Sequence, residues 1–137
     1  MKLEFPKDKF KWAITLAERS TGKNLSLMAL KYVFLSAENK VLTITATNLD
    51  WGIKISLPAK VDKVGTALIH GQILANLLNH LTDDKIRLEK TGANLAVVTP
   101  RETSLLLAYP ETDFPSLPVW SPAGRFNIEA TEFLTGL

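Results

Sequence analysis

Val41-Leu42-Thr43-Ile44-Thr45-Ala46-Thr47-Asn48-Leu49-Asp50-Trp51-Gly52-Ile53-Lys54-Ile55-Ser56-Leu57 holds two strands and the turn between them. Val41 to Thr47 is rich in β-branched residues, whose stiff side chains suit a pleated surface. After Asn48-Leu49-Asp50, Trp51 to Leu57 alternates strictly, which predicts a strand with one buried and one wet face. Pro58 interrupts that strand or puts it at an edge, because proline cannot donate to a ladder.

Toward the N-terminus, Leu30, Tyr32 and Phe34 alternate with Lys31, Val33 and Leu35. This predicts a strand that begins near Met28 and stops at the turn Glu38-Asn39-Lys40. Lys2 to Phe5 reads as a short strand. Pro6 then fits a helix start, and Asp8 sits in the first turn, where the helix dipole favours an acid. Phe10, Ala13, Ile14, Leu16 and Ala17 form an apolar stripe at helical spacing, the helix running to about Ser20 with Gly22 suited to end it.

Toward the C-terminus, Thr66 to Ile69 is a short strand leading into a helix from Gly71 to Leu81, with Ile73, Leu74, Leu77, Leu78 and Leu81 on its apolar face. Strands follow at Lys85 to Lys90, Leu95 to Thr99 and Thr103 to Tyr109, separated by Thr91-Gly92-Ala93-Asn94 and Pro100-Arg101-Glu102. Strand, helix and three strands therefore occur twice, a structural repeat whose halves hardly match in letters. Helices on one side of antiparallel sheet make the expected class α+β.

Pro110 to Pro122 is a Pro- and Ser-rich linker with Asp113-Phe114-Pro115 in its first half. Beyond it, Arg125 to Glu129 alternates like a new strand and Ala130 to Leu137 resembles the first turns of a helix. These pieces cannot bury a core of their own. The expected division is one domain over 1–120 and the start of a second, cut short, over 121–137.

A length of 137 residues bounds the chain to one well-buried domain plus a remnant. Hydrophobic content of 46% with 22% charged residues is that of a folded globular protein, not a disordered one. With 0 cysteines there is no disulfide framework, thiolate metal site or cysteine nucleophile. The N-terminus lacks a signal-peptide apolar stretch and no segment has a membrane-helix run, so the expected location is the cytoplasm. The net charge of +2 conceals an asymmetry. Lys2, Lys7, Lys9, Lys11, Arg19, Lys23 and Lys31 face only Glu4, Asp8 and Glu18 in the first segment, which suits either a polyanion or a solvated helix face.

Catalytic patterns are missing from the sequence. His70 and His80 stand at opposite ends of the second helix and cannot share a metal. His80 with Asp83 and Asp84 is either a small metal cluster or a helix end followed by a polar turn. There is no Gly-rich phosphate loop, Gly-x-Ser-x-Gly elbow or zinc-helix motif. No catalytic residue, cofactor or metal is expected. Trp12, Trp51 and Trp120 are scattered over helix, strand start and linker, and read as packing or docking residues rather than a base-stacking platform.

Ala46-Thr47-Asn48-Leu49-Asp50 and Asp113-Phe114-Pro115, in this order of elements, resemble the first domain of the bacterial sliding clamp, the β subunit of the replicative DNA polymerase. That family usually reads Ala-Thr-Asp-Leu-Glu at the first phrase, so Asn48 and Asp50 depart from it. Ser26-Leu27-Met28-Ala29-Leu30 stands where Thr-Leu-Pro-Ile-Leu is usual. The resemblance implies a DNA-clamp domain: two strand-helix-three-strand repeats with antiparallel sheets outside and two helices on the inner face. It further implies a non-enzymatic ring, a homo-oligomer that encircles duplex DNA without sequence preference and confers processivity. The replicative polymerase and the clamp loader would dock on domains this chain lacks.

The same resemblance points to Lys11, Thr15, Arg19, Lys23 and Asn24, and to Gln72, Asn76, Asn79 and His80, as DNA-facing residues. At Asn24 the family suggests an arginine, and Lys23 would carry that charge here. A solvated helix face remains the alternative for the second group. Ser104 and Leu106, with Ile73, are the expected subunit-interface residues, the alternative being that Leu105, Leu106 and Leu107 are core. The second function class is a clamp-like protein-interaction scaffold that does not encircle DNA.

Overall fold

Pro6 ends the first strand and caps the first helix in one step. Its extended backbone, φ −66° and ψ 135°, belongs to the strand, and its missing N–H is no loss at a helix start. The strand β1 is Lys2–Pro6 and the helix α1 is Lys7–Arg19. The Lys7 N–H donates to the Asp84 carbonyl at 2.8 Å, and Lys7 Nζ donates to the Leu81 carbonyl at 3.0 Å. A cation at the carbonyl end of the second helix is favourable there.

A computed structural model of the chain describes residues 1–22, 28–117 and 127–136. After α1 come β2 (Tyr32–Glu38), β3 (Val41–Thr47), β4 (Gly52–Pro58), β5 (Lys60–Lys63) and β6 (Gly65–His70). Helix α2 (Gly71–His80), β7 (Lys85–Thr91), β8 (Asn94–Val98), β9 (Thr103–Leu107) and a short helix α3 (Ala130–Thr135) complete the order. All ladders are antiparallel, in a sheet ordered β5-β1-β7-β8-β9 and a sheet ordered β4-β3-β2-β6.

The expected repeat is present, with its halves interlocked. The first strand of each half pairs in the other half's sheet: β1 joins β7, with Leu3 opposite Leu88, and β6 joins β2, with Phe34 opposite Leu68. Strand β5, which the sequence reading lacked, results from the break at Pro58. The chain leaves one sheet at that proline and Lys60–Lys63 then pairs with β1 in the other, Val61 opposite Leu3. Its polar composition hides it, because only Val61 needs cover.

Both helices pack on the same face of these sheets and against each other. Phe10, Ala13, Ile14 and Ala17 of α1 and Leu74 and Leu78 of α2 are buried with Leu3, Leu35, Leu42, Ile44, Leu88 and Leu95. Each fully buried Leu or Ile in such a core is worth about 1.5–3 kcal/mol relative to exposure.

Three expectations need correction. Met28–Lys31 is a 3-10 turn rather than strand, and β2 begins at Tyr32. The chain must curl there because the Gly22 N–H donates to the Leu30 carbonyl at 2.8 Å, and a Cβ at Gly22 would lie 2.8 Å from the Leu30 Cβ. Residues 127–129 form no strand, and 125 and 126 lie outside the described residues; α3 follows with all its residues exposed. Trp12 and Trp51 are not packing residues of this core, being 60% and 51% exposed.

Candidate nucleic-acid interface

The solvent side of α1 follows from its register. With Phe10, Ala13, Ile14 and Ala17 turned inward, the residues Asp8, Lys11, Trp12, Thr15, Leu16 and Arg19 line a shallow depression on the helix surface. Among the described residues the salt bridges are Arg87–Glu89, Lys90–Glu111 and Arg101–Asp83, so neither Lys11 nor Arg19 has its charge neutralised by one. Thr15 differs. Its Oγ1 donates to the Lys11 carbonyl at 2.8 Å, which leaves only acceptor capacity on the hydroxyl. A phosphate accepts and does not donate, so Thr15 is the weakest of the expected contacts on this helix.

On α2 the exposed residues are Gln72, Ile73, Asn76, Asn79 and His80, and all four expected polar residues share the outward side. The His80 Nδ1 lies 2.7 Å from the Asn76 carbonyl, so that nitrogen carries the proton and donates. Nε2 then presents a lone pair, and it donates to a phosphate only as imidazolium. Lys23 and Asn24 lie outside the described residues.

Edge strand β9 separates its two faces cleanly. Leu105 and Leu107 are 67% and 56% exposed, whereas Ser104 and Leu106 are half-buried and Leu106 packs against the core. Ile73 on α2 is 50% exposed. The strand pairs only with β8 among the described residues. The alternation in Thr103-Ser104-Leu105-Leu106-Leu107 carried this split, but not which face points outward.

The phrase Ala46 to Asp50 is a turn with its own hydrogen-bond network. Thr47 Oγ1, buried, donates to the Trp51 carbonyl at 2.8 Å and accepts from the Leu49 N–H at 3.0 Å. Asn48 Oδ1 accepts from the Asp50 and Trp51 N–H groups, both at 3.0 Å. An aspartate could accept both bonds equally well, which explains how Asn48 fills the position. Leu49 adopts a left-handed φ of 76° at the tip.

The second phrase fastens the linker to the sheet face opposite the helices. Tyr109 stacks on Tyr32, centroids 4.2 Å apart, and Phe114 stacks on Phe34 at 5.5 Å. Lys90 Nζ donates to Glu111 Oε1 at 2.6 Å and to the Thr66 carbonyl at 2.9 Å. The hydrogen bond from Lys90, with one from Thr66, holds the Glu111 carboxyl below its usual range. Burial first, then the charge of Lys31, lowers the pKa of His70, whose Nδ1 is buried with no hydrogen-bond partner among the described residues. Among the described residues no group of three or more His, Asp and Glu converges to hold a metal. Asp83 instead faces Arg101 at 3.5 Å.

Residues 1–118 match the N-terminal domain of the DNA polymerase III beta subunit. The chain belongs to the DNA polymerase III beta subunit family. It is 25% identical over 118 residues to the beta sliding clamp of Streptomyces coelicolor, covering 86% of this chain and 31% of that protein. It is 28% identical over 116 residues to the Chlamydia pneumoniae beta sliding clamp, covering 84% and 32%. The Helicobacter pylori beta clamp bound to a DNA ligase peptide superposes with a TM-score of 0.81 at 25% identity, covering 89% of this chain and 34% of that one. The sliding clamp of Caulobacter crescentus shares the fold, with a TM-score of 0.80 over 87% and 33% of the two chains. The chain thus spans about a third of the length of these family members.

Proposed function

We propose that this chain supplies one arc of a ring that encircles duplex DNA and keeps the replicative polymerase on its template. The observation that carries the reading is the pair of adjacent helices on one side of two antiparallel sheets, Lys11 and Arg19 on one and Gln72, Asn76, Asn79 and His80 on the other. Cations and amides of this kind contact phosphates, which position a protein without specifying sequence. Few charges suit sliding, since tight contacts would stop it. The reading assigns the chain no catalytic step and places it in the cytoplasm with the replication machinery. Among the described residues no helix is long and apolar enough to cross a membrane.

One domain over 1–120 and the start of another over 121–137 remains our division of the chain. Closure of the ring needs further domains or further copies, and the polymerase and clamp loader would dock on those domains. Ser104 and Ile73 stay our interface candidates, joined by exposed Leu105 and Leu107 on the same strand, whereas Leu106 packs against the core. Retention on DNA tests the reading. With the chain assembled into its ring, a nicked circular plasmid should hold the protein through gel filtration and release it on linearisation. Association between copies without retention on circular DNA would instead favour a protein-interaction scaffold.

A further inference from the structure

We propose that α1 also binds single-stranded nucleic acid, with the Trp12 indole stacking on an unpaired base between the cations Lys11 and Arg19. The inference rests on the ring reading only in taking α1 as a DNA-facing helix. Trp12 is the largest apolar side chain on that face, and at 60% exposure it does little for the core. It lines the same depression as Lys11, Thr15, Leu16 and Arg19, with Leu16 half-buried beside it. Trp12 and Arg19 are seven residues apart, nearly two helical turns, and so share one side of the helix; Lys11 and Arg19 are separated by about 12 Å along the axis. The indole is therefore flanked by positive charge along a track. Asp8 lines the N-terminal end of the same depression and is its one acid, against the two cations Lys11 and Arg19.

The choice of single strand over duplex follows from what an indole can reach. In a duplex every base face is covered by its neighbours, and a helix laid along the backbone meets phosphates and sugars. In a single strand each base offers an open π-face, and stacking on an aromatic side chain is tolerant of sequence. Lys11 and Arg19 serve both forms by charge, whereas Trp12 discriminates between them. A ring with such a face would hold more firmly where duplex gives way to an unpaired template.

Fluorescence anisotropy of the full chain with a labelled oligothymidine strand and with a duplex of equal length tests the proposal. Trp12→Ala should weaken strand binding by about tenfold, within the range found for loss of one stacking platform, and leave duplex binding unchanged. Trp12→Phe should retain most of the strand affinity. Trp12→Lys should strengthen duplex binding, steepen its salt dependence by roughly one neutralised phosphate, and still abolish the strand preference. The exposure of Trp12 means each variant should keep the wild-type thermal midpoint. Unchanged oligothymidine binding in Trp12→Ala, or equal weakening on strand and duplex, would overturn the proposal. Failure of retention on circular DNA, with the Trp12 dependence intact, would sink the ring reading alone.

Discussion

Phe114 stacks on Phe34 with ring centroids 5.5 Å apart and planes 19° apart, joining the linker after β9 to the face of β2 that looks away from the helices. Tyr109 does the same on Tyr32, two residues earlier on that face, with an interplanar angle of 18°. Val33, Leu35 and Ala37 occupy the opposite, core-facing side of the strand. The linker therefore covers the aromatic rings of Tyr32 and Phe34 on a face that also carries Ser36, Thr43, Thr45 and Lys54. Phe114→Ala should lower stability by about 1–2 kcal/mol, the stack plus part of its buried area, while Phe114→Tyr stays near wild type. Urea unfolding measures both, and an unchanged midpoint for the alanine variant would show that the stack contributes nothing.

The β3–β4 turn allows opposite effects from adjacent residues. Asn48→Ala removes an acceptor for two backbone N–H groups and should cost about 1 kcal/mol, whereas Asn48→Asp keeps both bonds. Leu49→Gly should stabilise by about 0.5–1 kcal/mol, because the left-handed backbone at φ 76° is strained for leucine and free for glycine. A thermal melt of the three variants checks the ranking. Reduced stability in Leu49→Gly would mean that the leucine packs on something that offsets its strain.

Acid should lower the stability of the protein in two steps. His70 has its pKa lowered in the fold, mainly by burial, so the unfolded chain binds the proton more readily. Stability is therefore unaffected above the ordinary histidine value and falls as pH drops below it. Glu111 is shifted down by Lys90, so its contribution is present above the ordinary carboxylate value and is lost as pH falls through the depressed one. Urea midpoints measured across this range should decline first near neutral-to-mild acid. His70→Gln should flatten that first decline and leave the second, and a profile identical to wild type would exclude His70 as its source.

Neighbouring leucines on β9 should separate association from folding. Leu105→Lys places charge on a side chain that is 67% exposed, and should leave the melting temperature within error while weakening self-association. Leu106→Ala, on the core-facing side, should cost about 1–3 kcal/mol of stability. Analytical ultracentrifugation and a thermal melt read the two effects. If Leu105→Lys leaves the association constant untouched, this edge is not where copies meet.

The cations of α1 can be counted through salt. Lys11→Gln with Arg19→Gln should reduce the slope of log affinity against log salt by about 1.8, near 0.9 for each duplex phosphate that is no longer neutralised. Filter binding over a salt series gives the slope. Thr15→Val should leave it unchanged, since the Thr15 hydroxyl already donates to the Lys11 carbonyl.

Local pattern carried far. The apolar stripe Phe10-Ala13-Ile14-Ala17, the alternation from Trp51 to Leu57, and the turn at Asn39, with its left-handed φ of 50°, all reflect spacing and backbone preference that neighbours in sequence impose. The same spacing places Trp12 off the buried stripe, yet its residue type predicts packing or docking, and only the structure shows it exposed. Both family phrases could be quoted from the letters as well, although not what they do.

Sequence by itself determined the class of elements, their order, the α+β repeat and the family, because periodicity and short motifs are local properties. Tertiary structure alone decided which strands are partners. The exchange of β1 and β6 between halves, the strand β5 beyond Pro58, and the aromatic stacks of the linker all join residues far apart in the chain. Such pairings depend on which surfaces remain uncovered once the core has formed, and no window of neighbouring residues contains that information.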